Sequence, residues 1–112
     1  MLFRSELLRL AVSAAPPTAR AWHPYGTSDA DGFAAMGITE TLVHTYDIAR
    51  GLGLSWSPPA EPSAAVLSRL FPQAPAGDPA EVLLWCTGRI ALDGRPRRTE
   101  WRWASSVRTR RI

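Results

Sequence analysis

SDADGFAAMGITETLVHTYDIARGL, from Ser28 to Leu52, lies within the longest part of the chain with no proline, between Pro24 and Pro58, and its apolar residues recur at helical spacing. Ser28 followed by Asp31 resembles a capping box with the shorter acid, and acids suit the positive end of a helix. Gly51 and Gly53 supply a stop. A helix over residues 29–52 is therefore predicted. Ala35, Ile38, Leu42, Ala49 and Leu52 fall on one side of it, and Phe33, Met36, Val43 and Ile48 lie around the other. Only Thr39 and Arg50 mark a water-facing edge, so the helix is expected to be mostly enclosed.

Working outward, residues 3–15 place Phe3, Leu7, Leu10 and Ala14 at helical spacing, and Pro16 and Pro17 end that helix. A loop carrying Trp22, His23, Pro24, Tyr25 and Gly26 joins the two helices. On the other side, Pro58, Pro59 and Pro62 read as a linker, residues 63–71 as a short helix, and residues 79–87 as another with Pro79 at its first position and Gly88 at its end. Beyond the Gly94 to Pro96 turn, Thr99, Trp101 and Trp103 alternate with Glu100 and Arg102, which gives an extended tail with one apolar face. The fold expected is mainly α, with two longer helices, two short helices and an extended C-terminal tail. Two segments are read: 1–57, the helical part, and 58–112, the short helical extension with its Trp/Arg-rich tail.

The totals narrow the function. The chain has 112 residues, 46% of them hydrophobic, enough for one small core. No run approaches the ~20 apolar residues of a membrane-spanning helix, so no membrane partner is expected. A single cysteine, Cys86, excludes an internal disulfide framework, and no signal peptide is legible, so a cytoplasmic setting is expected. Cys86 itself falls on the apolar Leu83-Leu84-Trp85-Cys86 run and reads as a small buried hydrophobe. The net charge of +3 is uneven: eight of the thirteen arginines lie in residues 89–112 against only Asp93 and Glu100. A solvated basic end is the plain reading of that tail, and Trp101 and Trp103 are too few for a single-strand platform, so nucleic acid is not the expected partner. Nucleophile elbow, phosphate-binding glycine loop and paired-cysteine zinc motif are all lacking.

The chemistry-bearing set is Glu40, His44 and Asp47, at angles of about 0°, 40° and 340° around the helix and so on one face. If enclosed, two carboxylates on neighbouring turns need a cation. A divalent metal can serve, because Glu40 and His44 at i and i+4 can reach one ion, with Asp47 orienting the imidazole from behind. The same three residues also read as an ordinary acid–histidine group answered by Arg50 or Arg89. His23 is a candidate third ligand or proton carrier, or a loop histidine packed on aromatics.

The segment Gly37-Ile-Thr-Glu40-Thr-Leu-Val-His44-Thr-Tyr-Asp47-Ile-Ala resembles the last bundle helix of the mycothiol-dependent maleylpyruvate isomerase family within the DinB-like superfamily. Leu83-Leu84-Trp85-Cys86-Thr87-Gly88-Arg89, Gly94-Arg95-Pro96 and Trp101-Arg102-Trp103 are similar to the C-terminal region of actinobacterial members. The resemblance implies a DinB-like four-helix bundle, of which this chain is the C-terminal part with two N-terminal helices missing. It also implies a divalent metal, zinc or alternatively nickel, held by the Glu40 and His44 pair plus a histidine from an early helix. Mycothiol or another low-molecular-weight thiol is the implied cosubstrate of an isomerase or S-transferase. With the early histidine missing, the expected partner is a second copy of the chain or a complementary chain. The alternative from another class is a non-catalytic interaction or regulatory remnant of the family.

Overall fold

A computed structural model describes the backbone of residues 2–107 and the side chains of residues 6–107. Among these the chain is mainly α, with α1 (Leu2–Ala14), α2 (Ala30–Gly51), α3 (Ala60–Leu70) and α4 (Pro79–Cys86). No strand forms among the described residues; Ala21 with Ser28 and Leu92 with Arg95 make isolated bridges only. The Phe3 and Arg4 side chains and the terminal Arg108, Arg110 and Arg111 lie outside the described residues.

Local chemistry sets the helix ends. At the start of α2 the cap is Asp29, one residue beyond the expected Ser28: its carboxylate accepts from Gly32 N–H at 2.8 Å. Ser28 is instead fully buried and accepts from the Arg69 guanidinium. At the far end Gly53, at φ +71°, lets Leu54 N–H reach Ala49 C=O and its own N–H reach Arg50 C=O, the paired closing bonds of a Schellman motif. Gly88, at φ +75°, does the same for α4 through Arg89 to Leu84 and its own bond to Trp85. Asp78 caps α4 by accepting from Glu81 N–H, with Pro79 in the first turn as expected. In α3 the helix starts at Ala60, earlier than residue 63, because Pro62 sits in the first turn, where a missing N–H costs no bond.

The helices pack in succession, α1 on α2, α2 on α3 and α3 on α4. The core joins Met36 and Leu42 of α2, Val66 and Leu70 of α3, and Val82, Leu83 and Cys86 of α4, with Phe71 and Trp103 closing it. Both sequence segments, 1–57 and 58–112, thus feed one core. Residues 101–105 alternate as expected, with Trp103 and Ser105 buried and Arg102 and Ala104 exposed. The partner is not a strand, however: Ala104 N–H donates to Leu70 C=O, the open end of α3, at 2.8 Å.

Two expectations about faces are corrected. On α1, Leu7 and Leu10 are half exposed, and the half-buried Leu8 and Val12 meet α2 instead. Gly37 permits that approach, since a methyl group on it would lie 2.2 Å from Leu8 Cδ2. On α2 the buried row is Gly32, Ala35, Met36, Thr39, Leu42, Val43 and Ala49. Thr39, expected at the water edge, is fully buried, its hydroxyl satisfied by donating to Ala35 C=O at 2.8 Å. The other half of the helix surface, running from Glu40, His44 and Asp47 round through Ile48 and Thr41 to Ile38, is open to solvent, so α2 is not enclosed.

Candidate metal-binding face

Glu40, His44 and Asp47 all stand on that open face of α2, as their spacing requires. Their exposure removes the electrostatic compulsion inferred for an enclosed helix, because carboxylates in water need no fixed counter-ion. The His44 side chain is 64% exposed and its Nδ1 lies 3.9 Å from Asp47 Oδ2. Asp47 has a closer partner: Arg89 Nη2 donates to Oδ2 at 2.7 Å and Nε to Oδ1 at 3.2 Å, a two-point clamp between α2 and the loop after α4. Arg89 also donates to Thr87 C=O, which fixes the guanidinium beside the closing turn of α4. Of the two arginines suggested by the sequence, Arg89 answers Asp47, and Arg50 donates to the Tyr46 hydroxyl instead.

The Arg89 bonds hold the Asp47 carboxyl below the usual carboxylate range, against a smaller upward push from burial. A carboxyl depressed in the folded state stabilises above its unfolded value of about 3.9 and loses that contribution as pH falls through the folded value. Asp47→Asn is therefore expected to lower stability at pH 7 by no more than about 1 kcal/mol, since the pair is partly solvated, and to matter less as pH falls through the lowered folded value. Urea melts of both proteins at pH 7 and pH 3 check this; a gap undiminished at pH 3 would show that the pair is not its source.

Glu40 is answered by no guanidinium among the described residues. Carboxylate oxygen and imidazole nitrogen one helical turn apart are a donor set that zinc or nickel accepts, so the pair fits two positions of a coordination shell. No group of three or more His, Cys, Asp or Glu side chains able to hold an ion is gathered among the described residues. His23 lies elsewhere, within an aromatic group: its ring is 5.3 Å from Tyr25, 6.3 Å from Phe33 and 5.8 Å from Trp103. Its Nδ1 accepts from Tyr25 N–H at 3.1 Å, so the loop histidine packs on aromatics. Phe33 is seven residues before Glu40, roughly 10 Å along the axis. Cys86 is buried in the core, and burial pushes its thiol up, which suits the role of a small hydrophobe.

Two features beside the face escaped the sequence reading. A groove of about 400 Å³ between α1 and α2 is lined by Leu8, Val12, Ala34, Ile38 and Leu42, with Thr41, the neighbour of Glu40, on its rim. Arg69 ties the start of α2 to the tail through Ser28, Asp29, Ala104 and Ser105. The signal for the first lay in Ile38, an apolar residue that lies off the buried row. Among the described residues no helix is long and apolar enough to cross a membrane. No protein-family model, no curated protein and no solved structure matches this chain.

Proposed function

We propose that this chain is a divalent-metal-binding helical module, DinB-like and related to mycothiol-dependent maleylpyruvate isomerases, in which Glu40 and His44 donate two ligands from one exposed helix face. The observation that carries the reading is that these two side chains stand one turn apart, open to solvent, with no guanidinium on Glu40 among the described residues. Asp47, clamped by Arg89, sits close enough to His44 to bias the imidazole's orientation once Nδ1–H points toward it. The remaining ligands come from water or from a second chain seated over the face, beside which Ile48 also leaves apolar surface exposed. A bound zinc would supply Lewis acidity, keeping a low-molecular-weight thiol such as mycothiol deprotonated for isomerisation or S-transfer.

Titration calorimetry of the full chain with Zn²⁺ tests this. Binding is expected in the wild type, weakened at least tenfold in both Glu40→Ala and His44→Ala and unchanged in His23→Ala. Equal heats for the wild type and the first two variants would remove the site.

A second reading, a non-catalytic association module, is favoured by the exposed Leu7, Leu10, Ile38, Ile48, Leu52 and Leu54. The same proteins separate the two in sedimentation: association that needs Zn²⁺ and Glu40 supports the metal module, and association indifferent to both supports the second reading.

A further inference from the structure

A second concave site lies at the other side of the core, where the segment after α3 meets the C-terminal tail. It is a cleft of about 510 Å³, within the range of small-molecule pockets, and its walls include Tyr25, Phe71, Trp85, Arg98, Arg102 and Trp103. None of its lining residues is acidic. Both arginines rest on aromatic rings of the same cleft: the Arg98 guanidinium carbon is 5.1 Å from the Trp85 centroid, and that of Arg102 is 5.9 Å from Tyr25. No carboxylate answers either one among the described residues. Trp103 adds an unmet demand. It is 8% exposed and its indole Nε1 has no hydrogen-bond partner among the described residues, although an indole N–H can only donate and a buried donor left unpaired is costly.

We propose that this cleft binds a small planar organic anion, an aromatic ring bearing an oxyanion. Each part of the cleft has a use in that role. The Trp85 ring carries the Arg98 and Arg95 guanidiniums and the Tyr25 ring that of Arg102, which holds these charges at the edges of the site and leaves a ligand ring the apolar walls of Phe71 and Trp103. Planar guanidinium groups meet a carboxylate or phosphate through two parallel N–H bonds, and an acceptor oxygen on the ligand satisfies the Trp103 indole. A cation would find no counter-charge among the described lining residues, and a purely apolar guest would leave the buried indole donor unmet.

An ¹⁵N-resolved titration of the full chain, read at the indole N–H signals of its five tryptophans, tests the proposal, with Trp103→Phe identifying the key signal. The probes are 2-naphthoate and AMP, which separate a carboxylate from a phosphate source, with 2-naphthol, adenosine and inorganic phosphate as partial mimics. Saturable shifts of the Trp103 and Trp85 signals, with Trp22 unmoved, are expected for at least one of the two anions. The uncharged counterpart should bind at least tenfold more weakly, and Arg98→Met or Arg102→Met should each weaken binding at least fivefold. Three results would overturn it: no shift with either anion at millimolar concentration, equal affinity for the uncharged counterpart or for phosphate alone, or unchanged affinity in the Arg102→Met protein. Arg102 is exposed, so that variant keeps its fold, and an unchanged amide spectrum verifies it.

Discussion

Replacing Leu83 by alanine is expected to lower the unfolding free energy by about 3 kcal/mol, within the roughly 2–5 kcal/mol span of buried leucine truncations. Leu83 is fully buried in the middle of α4, against core residues from α2, α3 and the tail. Truncation removes the transfer free energy of three carbons and leaves a cavity that neighbours fill only in part. A domain of this size has a stability of about 5–15 kcal/mol, so the loss is a large fraction of the whole. The control is Leu52, 69% exposed just past α2, whose alanine variant should stay within about 0.5 kcal/mol of the wild type. Urea unfolding with an unchanged slope measures both. A loss under 1 kcal/mol at Leu83 would mean that α4 does not share the common core.

Arg69→Ala is the second large effect, about 2–3 kcal/mol, and its cause is polar. The guanidinium donates to Ser28 Oγ at 3.2 Å, Asp29 Oδ1 at 3.1 Å, Ser105 C=O at 3.0 Å and Ala104 C=O at 3.2 Å, joining α3 to the head of α2 and to the tail. Packing there leaves no spare room: a methyl group on Gly32 would lie 1.9 Å from Ser28 Oγ and 2.6 Å from Arg69 Nη2. Burial pushes the Asp29 carboxyl up, but the Gly32 N–H bond and Arg69 outweigh it, so the group ends below its ordinary range. Its stabilisation is therefore present above about pH 4 and fades as pH falls through the lower folded value. The wild type should exceed Arg69→Ala by most at pH 7 and by less at pH 3. Arg69→Lys should recover little, because one ammonium cannot serve four acceptors spread around a planar fork. Full recovery by lysine would show that charge alone matters and that the fork geometry does not.

These two positions also show where sequence legibility stopped. The helices were readable because their signals are local: the Pro16-Pro17 stop, Pro79 in a first turn, and a glycine with positive φ at Gly53 and Gly88. The side-by-side projection of Glu40, His44 and Asp47 followed from helix geometry alone. Which side of α2 faces the core did not follow, since apolar residues occur all round it and a threonine can be buried once its hydroxyl donates within the helix. Arg69 gave no local sign of its role, its partners being 35 to 41 residues away in sequence. Asp47 likewise meets an arginine 42 residues on.

The sequence by itself determined the mainly helical class, the positions where helices stop, the alternation of the tail and the spacing that puts an acid and an imidazole one turn apart. All are consequences of backbone dihedral preference and helical or extended periodicity, which act over a few residues. Only the tertiary structure decided that the Glu40–His44 face looks outward, that Asp47 is held by Arg89, that the tail lies on the end of α3 instead of in a sheet, and that arginines and aromatics from separate segments line one cleft. Those outcomes depend on which surfaces bury the most apolar area together while still pairing their polar atoms, and that is settled between segments far apart in the chain.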